Sequence, residues 1–449
     1  MRVELIQKQR GISRRTIVAD GAAGLSGLVL AACGGGQTST TPAASAEPVT
    51  IEYNVQNPTL WEKAGRVVPP FNTKYPHITI KTVPGEASGI ARLRTMLAAG
   101  TVPETSWMNI TDLPALAEQG ALFQLDQWIS RDWKAMDGDD VYPGAWEAVA
   151  WKGKRYGTPY EANPFLPVYR KDFFDAAGVP YPTRQAEQGK WDWNAVLDTA
   201  RRLTKTGTDG KKQFGLQLRT DPYSLFHWIW NNGGEVWNAD RTESLINKPP
   251  AVEAIQFMQD LIVRHRVVPM GASGGAEITE ASGSTYNNML SKIVAFEWQY
   301  SGGGSLMGGI ADFPFEVAPE PKGKTAKVIP HMNGSGNVML KDGKSKEAAW
   351  EFLKFFNSKE ADVIMMDSGI TPPRRRSGEE HYAKNVKYPP NGKVLAEMAR
   401  TARLSPTVPA WADFNSTLNK ELAPVWRGER RPQEALDEVV RQINPLLKK

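Results

Sequence analysis

Apolar and polar residues alternate from Thr50 to Val55, with Ile51, Tyr53 and Val55 on one side, and this period of two predicts a strand. A helical stretch around Trp61 to Phe71 follows, interrupted by Pro69-Pro70. Ile78 to Val83 reads as a second strand. Ile90, Leu93 and Leu97 then recur at helical spacing, and Gly100 supplies a left-handed stop. Thr105 to Asn109 reads as a third strand and Pro114 to Gly120 as a short helix. Strand, helix, strand, helix, strand predicts a parallel α/β sheet, whose ligands meet the carboxyl ends of the strands. That rule singles out Asn109, Thr111 and Asp112; turn and cap chemistry is the competing reading of Thr111 and Asp112.

The pattern changes between Tyr156 and Asp172. Pro159, Pro164 and Pro167 exclude a helix interior and a central strand, yet the large apolar groups around them exclude a solvated linker. An extended crossing between two lobes meets both constraints. It brings Tyr160 and Glu161 to an interlobe cleft, where small-molecule sites prefer to lie; a surface loop is the alternative. Further on, Trp191 to Thr204 reads as a helix and Phe214 to Leu218 as a strand. Pro249-Pro250 opens a helix with Val252, Ile255, Met258 and Ile262 along one face. Lys292 to Phe296 is a buried strand leading through Glu297-Trp298-Gln299-Tyr300 to a turn at Gly302-Gly303-Gly304. Ser335 to Leu340 is strand-like, and Ser345 stands at the cap of a helix with Ala349, Phe352, Leu353 and Phe356 on one side.

Length reinforces the two-lobe reading, because a chain of 449 residues exceeds the size at which one core stops growing. Charge adds little. Of the net +5, three units sit in residues 1–32, where five basic side chains face only Glu4 and Asp20. Arg374-Arg375-Arg376 is the one dense basic cluster, so a nucleic-acid partner is not expected.

The first 48 residues read as an address. Ser13-Arg14-Arg15-Thr16 is a twin-arginine arrangement, followed by an apolar run from Gly21 to Ala32 that is too short to span a bilayer. Leu30-Ala31-Ala32-Cys33 looks like a lipobox, and Cys33 is the single cysteine of the chain. Residues 1–32 are therefore expected to be a lipoprotein signal peptide, and residues 33–48 a flexible tether from a lipid on Cys33. The mature protein is expected at the outer face of the cell membrane, anchored without spanning it.

Two stretches carry a family resemblance. Ala98-Ala99-Gly100-Thr101-Val102-Pro103-Glu104 and Glu118-Gln119-Gly120-Ala121-Leu122-Phe123-Gln124-Leu125-Asp126 resemble the first lobe of the family 1 extracellular solute-binding proteins, the maltose-binding-protein-like receptors of ABC importers. Tyr156-Gly157-Thr158-Pro159 with Tyr169 to Val179 is similar to that family's crossing into its second lobe, and Gly369 to Arg374 to its second crossing. The family usually has aspartate where Glu104 stands and asparagine where Arg170 stands. The resemblance implies a type II periplasmic-binding-protein-like α/β fold of two lobes, each a mixed sheet flanked by helices and discontinuous in sequence. Lobe one would comprise residues 49–160 and 325–370, and lobe two residues 161–324 and 371–449.

Fifteen tryptophans and twelve tyrosines are the compositional fact that bears on chemistry. Sugar rings pack a C–H face on flat aromatics, while their hydroxyls call for carboxylates, amides and guanidinium groups. Candidate aromatics are Tyr160, Trp228, Trp230, Trp298, Tyr300 and Trp411; core packing is the competing reading of each. The resemblance implies stacking roles for Trp298 and Trp411 and a hydroxyl-accepting role for Glu161, with Arg374 a further candidate. The rival class is an exported glycosidase, which needs two carboxylates about 5–10 Å apart, and Glu161 and Glu297 are the pair to consider. No serine elbow, zinc pair or phosphate loop occurs, and the five histidines do not cluster, so neither a metal nor a cofactor is expected. The expectation is a monomeric binding protein that hands a mono- or oligosaccharide to an ABC permease.

Overall fold

The computed structural model describes residues 47–55, 61, 64–84, 89–208, 210–269, 287–301, 313–325, 327–369, 371–386 and 390–448. Cys33, the twin arginines, the tether up to Ala46 and Gly302 to Gly304 lie outside the described residues. Twelve strands are described: β1 Val49–Val55, β2 Ile78–Pro84, β3 Thr105–Asn109, β4 Ala150–Trp151, β5 Lys154–Arg155, β6 Gly157–Arg170, β7 Lys205–Thr206, β8 Lys212–Gln217, β9 Val294–Tyr300, β10 Phe315–Val317, β11 His331–Met339 and β12 Arg403–Leu404. The three strands predicted first are present, and β1 pairs in parallel with both β2 and β3. β11 then enters antiparallel beside β3, so the sheet is mixed. One path runs β2-β1-β3-β11-β6-β9-β8-β7, with β10 on β6 and β12 on β11.

β6 corrects the sequence reading of the crossing: it is a strand of 14 residues in the middle of that path, despite its three prolines. The ladder explains the tolerance. β11 covers β6 from Gly157 to Phe165, β9 begins only at Phe165, and β10 only at Val168. At Pro159, Pro164 and Pro167 one edge of β6 is therefore unpaired, and the missing N–H breaks no bond. Other prolines start helices. Pro69 and Pro70 fall in the first turn of the helix Val68–Lys74 rather than interrupting one. Ser345 precedes the helix Lys346–Phe356 without a capping bond from its hydroxyl. Ser358 and Asp192 do cap, accepting from the amides of Ala361 at 3.2 Å and Ala195 at 2.9 Å.

Hydrophobic burial divides along β6. Ile51, Tyr53, Met108, Tyr160, Val338 and Phe352 belong to one core. Phe165, Trp191, Ile255, Phe296, Phe414 and Val439 belong to a second. Leu166, Val168 and Val294 point to the other face of the second sheet region, into a smaller core with Tyr382 and Met398. Burying each such side chain contributes roughly 1.5–3 kcal/mol, so each core is a substantial folding unit. The described residues from Glu47 onward nevertheless form one compact unit, because β6 and β11 carry the sheet across the divide.

Candidate functional site

Register brings the site together. Ser335 of β11 stands opposite Asn109 of β3 on one side and Glu161 of β6 on the other. Residues opposite one another in antiparallel strands share a face, so the three side chains form a row. Ser335 Oγ donates to Glu161 Oε1 at 3.0 Å. One step along, Asn333 stands opposite Asn163, whose Oδ1 accepts from Ser301 Oγ at 2.8 Å. A register shift between Ser335 and Gly336 skips Tyr160, turning it to the opposite side from Glu161.

From the other end of the row the bonds lead across the divide. Asn109 Oδ1 accepts from the amide of Thr111 at 3.1 Å and from its hydroxyl at 2.9 Å. Thr111 Oγ1 lies 3.4 Å from the phenol oxygen of Tyr223, which accepts from Trp411 Nε1 at 3.1 Å. The Tyr223 and Trp411 rings are 5.3 Å apart. Beside them the Arg219 guanidinium lies 5.7 Å over the Tyr300 ring and donates through Nε to Asp221 at 2.8 Å. Three buried polar atoms here have no hydrogen-bond partner: Tyr300 Oη, Asn333 Oδ1 and Asp221 Oδ1. Buried polar atoms are ordinarily satisfied, so these three are free to bond a polar ligand.

The titratable groups are strained in the same sense. Burial pushes Glu161 up to about 7, with the bond from Ser335 pulling the other way. Burial pushes Asp112 up to about 6, opposed by the charge of Arg94. Tyr223 and Tyr300 are raised by burial as well. Two carboxyl groups held short of charge are set to accept bonds from a ligand that replaces their lost water.

Of the predicted site residues, Asn109, Asp112, Glu161 and Tyr300 fall on this cluster, and Trp411 reaches it through its N–H while its ring packs on Phe226 and Phe414 in the second core. The others do not. Trp298 is 1 % exposed inside the second core and donates through Nε1 to Glu320 at 3.0 Å. Trp228 packs 5.1 Å from Trp298 and 5.3 Å from Trp193 in the same core. Trp230 stacks on Phe226 there, with Arg403 4.5 Å over its ring. Tyr160 stacks on Phe356 at 5.1 Å in the first core. Arg374 is buried rather than on a solvated face; it bonds Asp362 and the carbonyls of Pro159, Tyr160 and Phe356. The aromatic placements share a cause: large flat groups fill cores wherever the sheet alternation turns them inward.

Tyr223, Arg219 and Ser335 join the cluster in addition to the residues the sequence singles out. The rule of strand ends reaches the first two, since both follow the carboxyl end of β8 as Thr111 follows that of β3. Glu297, the proposed partner of Glu161 in a glycosidase pair, stands opposite Val168 and so on the other face of the sheet from Tyr300 and Glu161. Burial raises its carboxyl to about 8. Among the described residues no group of three or more histidine, cysteine or acidic side chains is placed to hold a metal ion. A groove of about 1460 Å³ lies on that other side of the crossing strands, lined by Ile110, Gly144, Ala148, Trp237, Arg241 and Thr407. Gly334, between Ala148 and Ile110, faces it while Ser335 faces Glu161, so this groove is not the polar row.

Residues 53–363 match the profile of the bacterial extracellular solute-binding proteins. The chain belongs to that family. A Brucella abortus protein described only as a binding protein is 23% identical over 435 residues, covering 95% of this chain and 97% of that one. The sn-glycerol-3-phosphate-binding periplasmic protein of Pectobacterium atrosepticum is 24% identical over 323 residues, 66% of this chain and 67% of that one. Among solved structures, the ABC substrate-binding protein of Listeria monocytogenes in complex with cycloalternan superposes with a TM-score of 0.78. It shares 24% identity and covers 90% of this chain and 100% of that one. The fold of this solute-binding protein is thus the two-lobed α/β arrangement, with β6 and β11 as the strands that join the lobes.

Proposed function

We propose that this solute-binding protein captures a neutral carbohydrate between its lobes and delivers it, unaltered, to an ABC permease. The observation that carries the reading is the polar row Asn109–Ser335–Glu161 beside the Tyr223–Trp411 pair, with three buried polar atoms left unbonded around it. A sugar supplies what that surroundings lacks: hydroxyl donors for Glu161, Asn333 and Asp221, an acceptor for Tyr300, and a C–H face for an indole. The Listeria protein of similar fold, solved in complex with cycloalternan, supports the ligand class.

The relative that binds sn-glycerol-3-phosphate offers a second ligand class. Charge favours the neutral ligand. Glu161 and Asp112 line the site, and Arg219 is engaged by Asp221, so a phosphate would meet carboxylates. Binding without turnover fits the placement of Glu297 across the sheet from Glu161. Anchoring through a lipid on Cys33, at the outer face of the membrane and as a monomer, completes the proposal. The twin-arginine and lipobox sequences support it. Thermal-shift and tryptophan-fluorescence titration with mono- and oligosaccharides tests it: saturable shifts without product release are expected, and product release from a glycan contradicts it.

A further inference from the structure

Two of the three passages between the lobes, β6 and the segment Arg374–Arg376, leave the first lobe at one buried node; β11 is the third. Arg374 donates through Nε to Asp362 Oδ1, and through Nη1 to the carbonyls of Pro159 and Tyr160, the latter at 2.9 Å. Its Nη2 reaches the Phe356 carbonyl at 2.5 Å. Arg375 takes the other oxygen of Asp362 and donates to the Asn357 carbonyl at 2.5 Å. Asp362, Phe356 and Asn357 lie in or at the end of the helices Lys346–Phe356 and Lys359–Asp367, against the first core. The backbone around the arginines is strapped to the same lobe: Tyr142 N donates to Arg374 O at 2.9 Å and Arg376 N to Asp140 O at 3.0 Å.

The node coincides with the irregularity of β6. The register shift that skips Tyr160 takes its carbonyl out of the regular ladder with β11. Arg374 supplies the donor that the ladder does not. A planar guanidinium presents a fixed fork able to reach a carboxylate and three carbonyls at once; an ammonium has its three donors on one atom and cannot span them. Glu161 follows Tyr160 directly, so the plane of the peptide that Arg374 grips sets where the Glu161 carboxyl points.

We propose that Arg374, held by Asp362, is a positioning residue: it fixes the lobe-one end of the hinge and aims Glu161 into the interlobe row. Bending then falls beyond Glu161 on the first crossing and beyond Arg376 on the second. The inference rests on the reading of the Glu161 row as the ligand site, and its test needs no ligand.

The test follows the carboxyl of Glu161 in the ligand-free full chain, by carbon-13 resonance across a pH titration, with Glu161→Gln identifying the signal. Groups facing Glu161 are Ser335 on β11 and Asn109 beyond it on β3; Tyr160, its neighbour on β6, points to the opposite side, into the first core. In Arg374→Lys the peptide loosens and water reaches the carboxyl, so the midpoint falls by about half a pH unit or more toward the ordinary glutamate range. Leu436→Ala, in the second core, serves as a variant of lowered melting temperature with the node intact. It is expected to leave the midpoint where it is. Should Arg374→Lys fail to fold, Asp362→Asn carries the same test, with a shift in the same direction. An unmoved midpoint in the folded node variants, or an equal shift in Leu436→Ala, overturns the proposal.

Discussion

The hydroxyl of Thr111 and the phenol oxygen of Tyr223 stand 3.4 Å apart, and they join the segment after β3 to the segment after β8. The same phenol oxygen accepts the indole N–H of Trp411, so one atom links both lobes and the candidate stacking ring. Tyr223→Phe removes that atom and leaves the Trp411 N–H unpaired. A hydrogen bond of this kind contributes about 0.5–1.5 kcal/mol net, so sugar affinity is expected to fall roughly threefold to tenfold by calorimetry. An unchanged affinity would show that the contact has no part in binding.

Trp411 and Trp298 are both buried in the second core, and of the two only Trp411 bonds Tyr223 at the end of the polar row. Trp411→Ala is expected to weaken ligand binding by about 1–3 kcal/mol while the protein still unfolds cooperatively. Trp298→Ala empties a site in the second core and strips Glu320 of a donor, and is expected to destabilise the fold by about 3–5 kcal/mol. Denaturant melts beside titrations distinguish the two. Equal loss of affinity at undiminished stability in Trp298→Ala would return it to the site.

Glu161 predicts a pH dependence of two kinds. Its folded value of about 7 lies above the ordinary 4.5, so the folded chain holds more protons than the unfolded chain between those values. Its contribution to stability is therefore greatest below pH 4.5 and is lost as pH rises through 7. Glu161→Gln escapes that loss, and is expected to be more stable than the parent chain at pH 8 by about 1–3 kcal/mol, allowing for partial exposure. Binding has the opposite sign. Ligand hydroxyls favour the carboxylate, so affinity rises with pH between about 6 and 8, and Glu161→Gln flattens the profile.

Cys33 predicts where the protein is found. Two or more acyl chains hold a protein at a membrane, at roughly 0.8 kcal/mol per buried methylene. Cys33→Ser is expected to move the exported protein from the membrane fraction to the soluble fraction. Retention at the membrane after this change would contradict the lipid anchor.

The strands of the first lobe were legible because their signals are local: alternation in β1 and β2, and glycine stops such as Gly100. Asn109 was legible because the rule of strand ends needs only the strand. Tyr223 obeys the same rule, since it follows the carboxyl end of β8. What remained hidden depends on pairing at a distance. Pro159, Pro164 and Pro167 are tolerated because partners begin and end beside them, which no local pattern reveals. Nothing local in Arg374-Arg375-Arg376 reveals that Asp362 and three carbonyls surround Arg374. Trp298 shares its period-two face with Tyr300, and only the position of each against β6 puts one in the core and the other by the cleft.

The most direct test of the account is calorimetric titration of the parent chain and Glu161→Gln with a linear maltodextrin, a cyclic glucan and sn-glycerol-3-phosphate at pH 8. The account predicts saturable one-to-one binding of a neutral glycan that weakens at least about tenfold in Glu161→Gln, with no binding of the phosphate. Tight binding of sn-glycerol-3-phosphate, or glycan binding indifferent to Glu161, contradicts it.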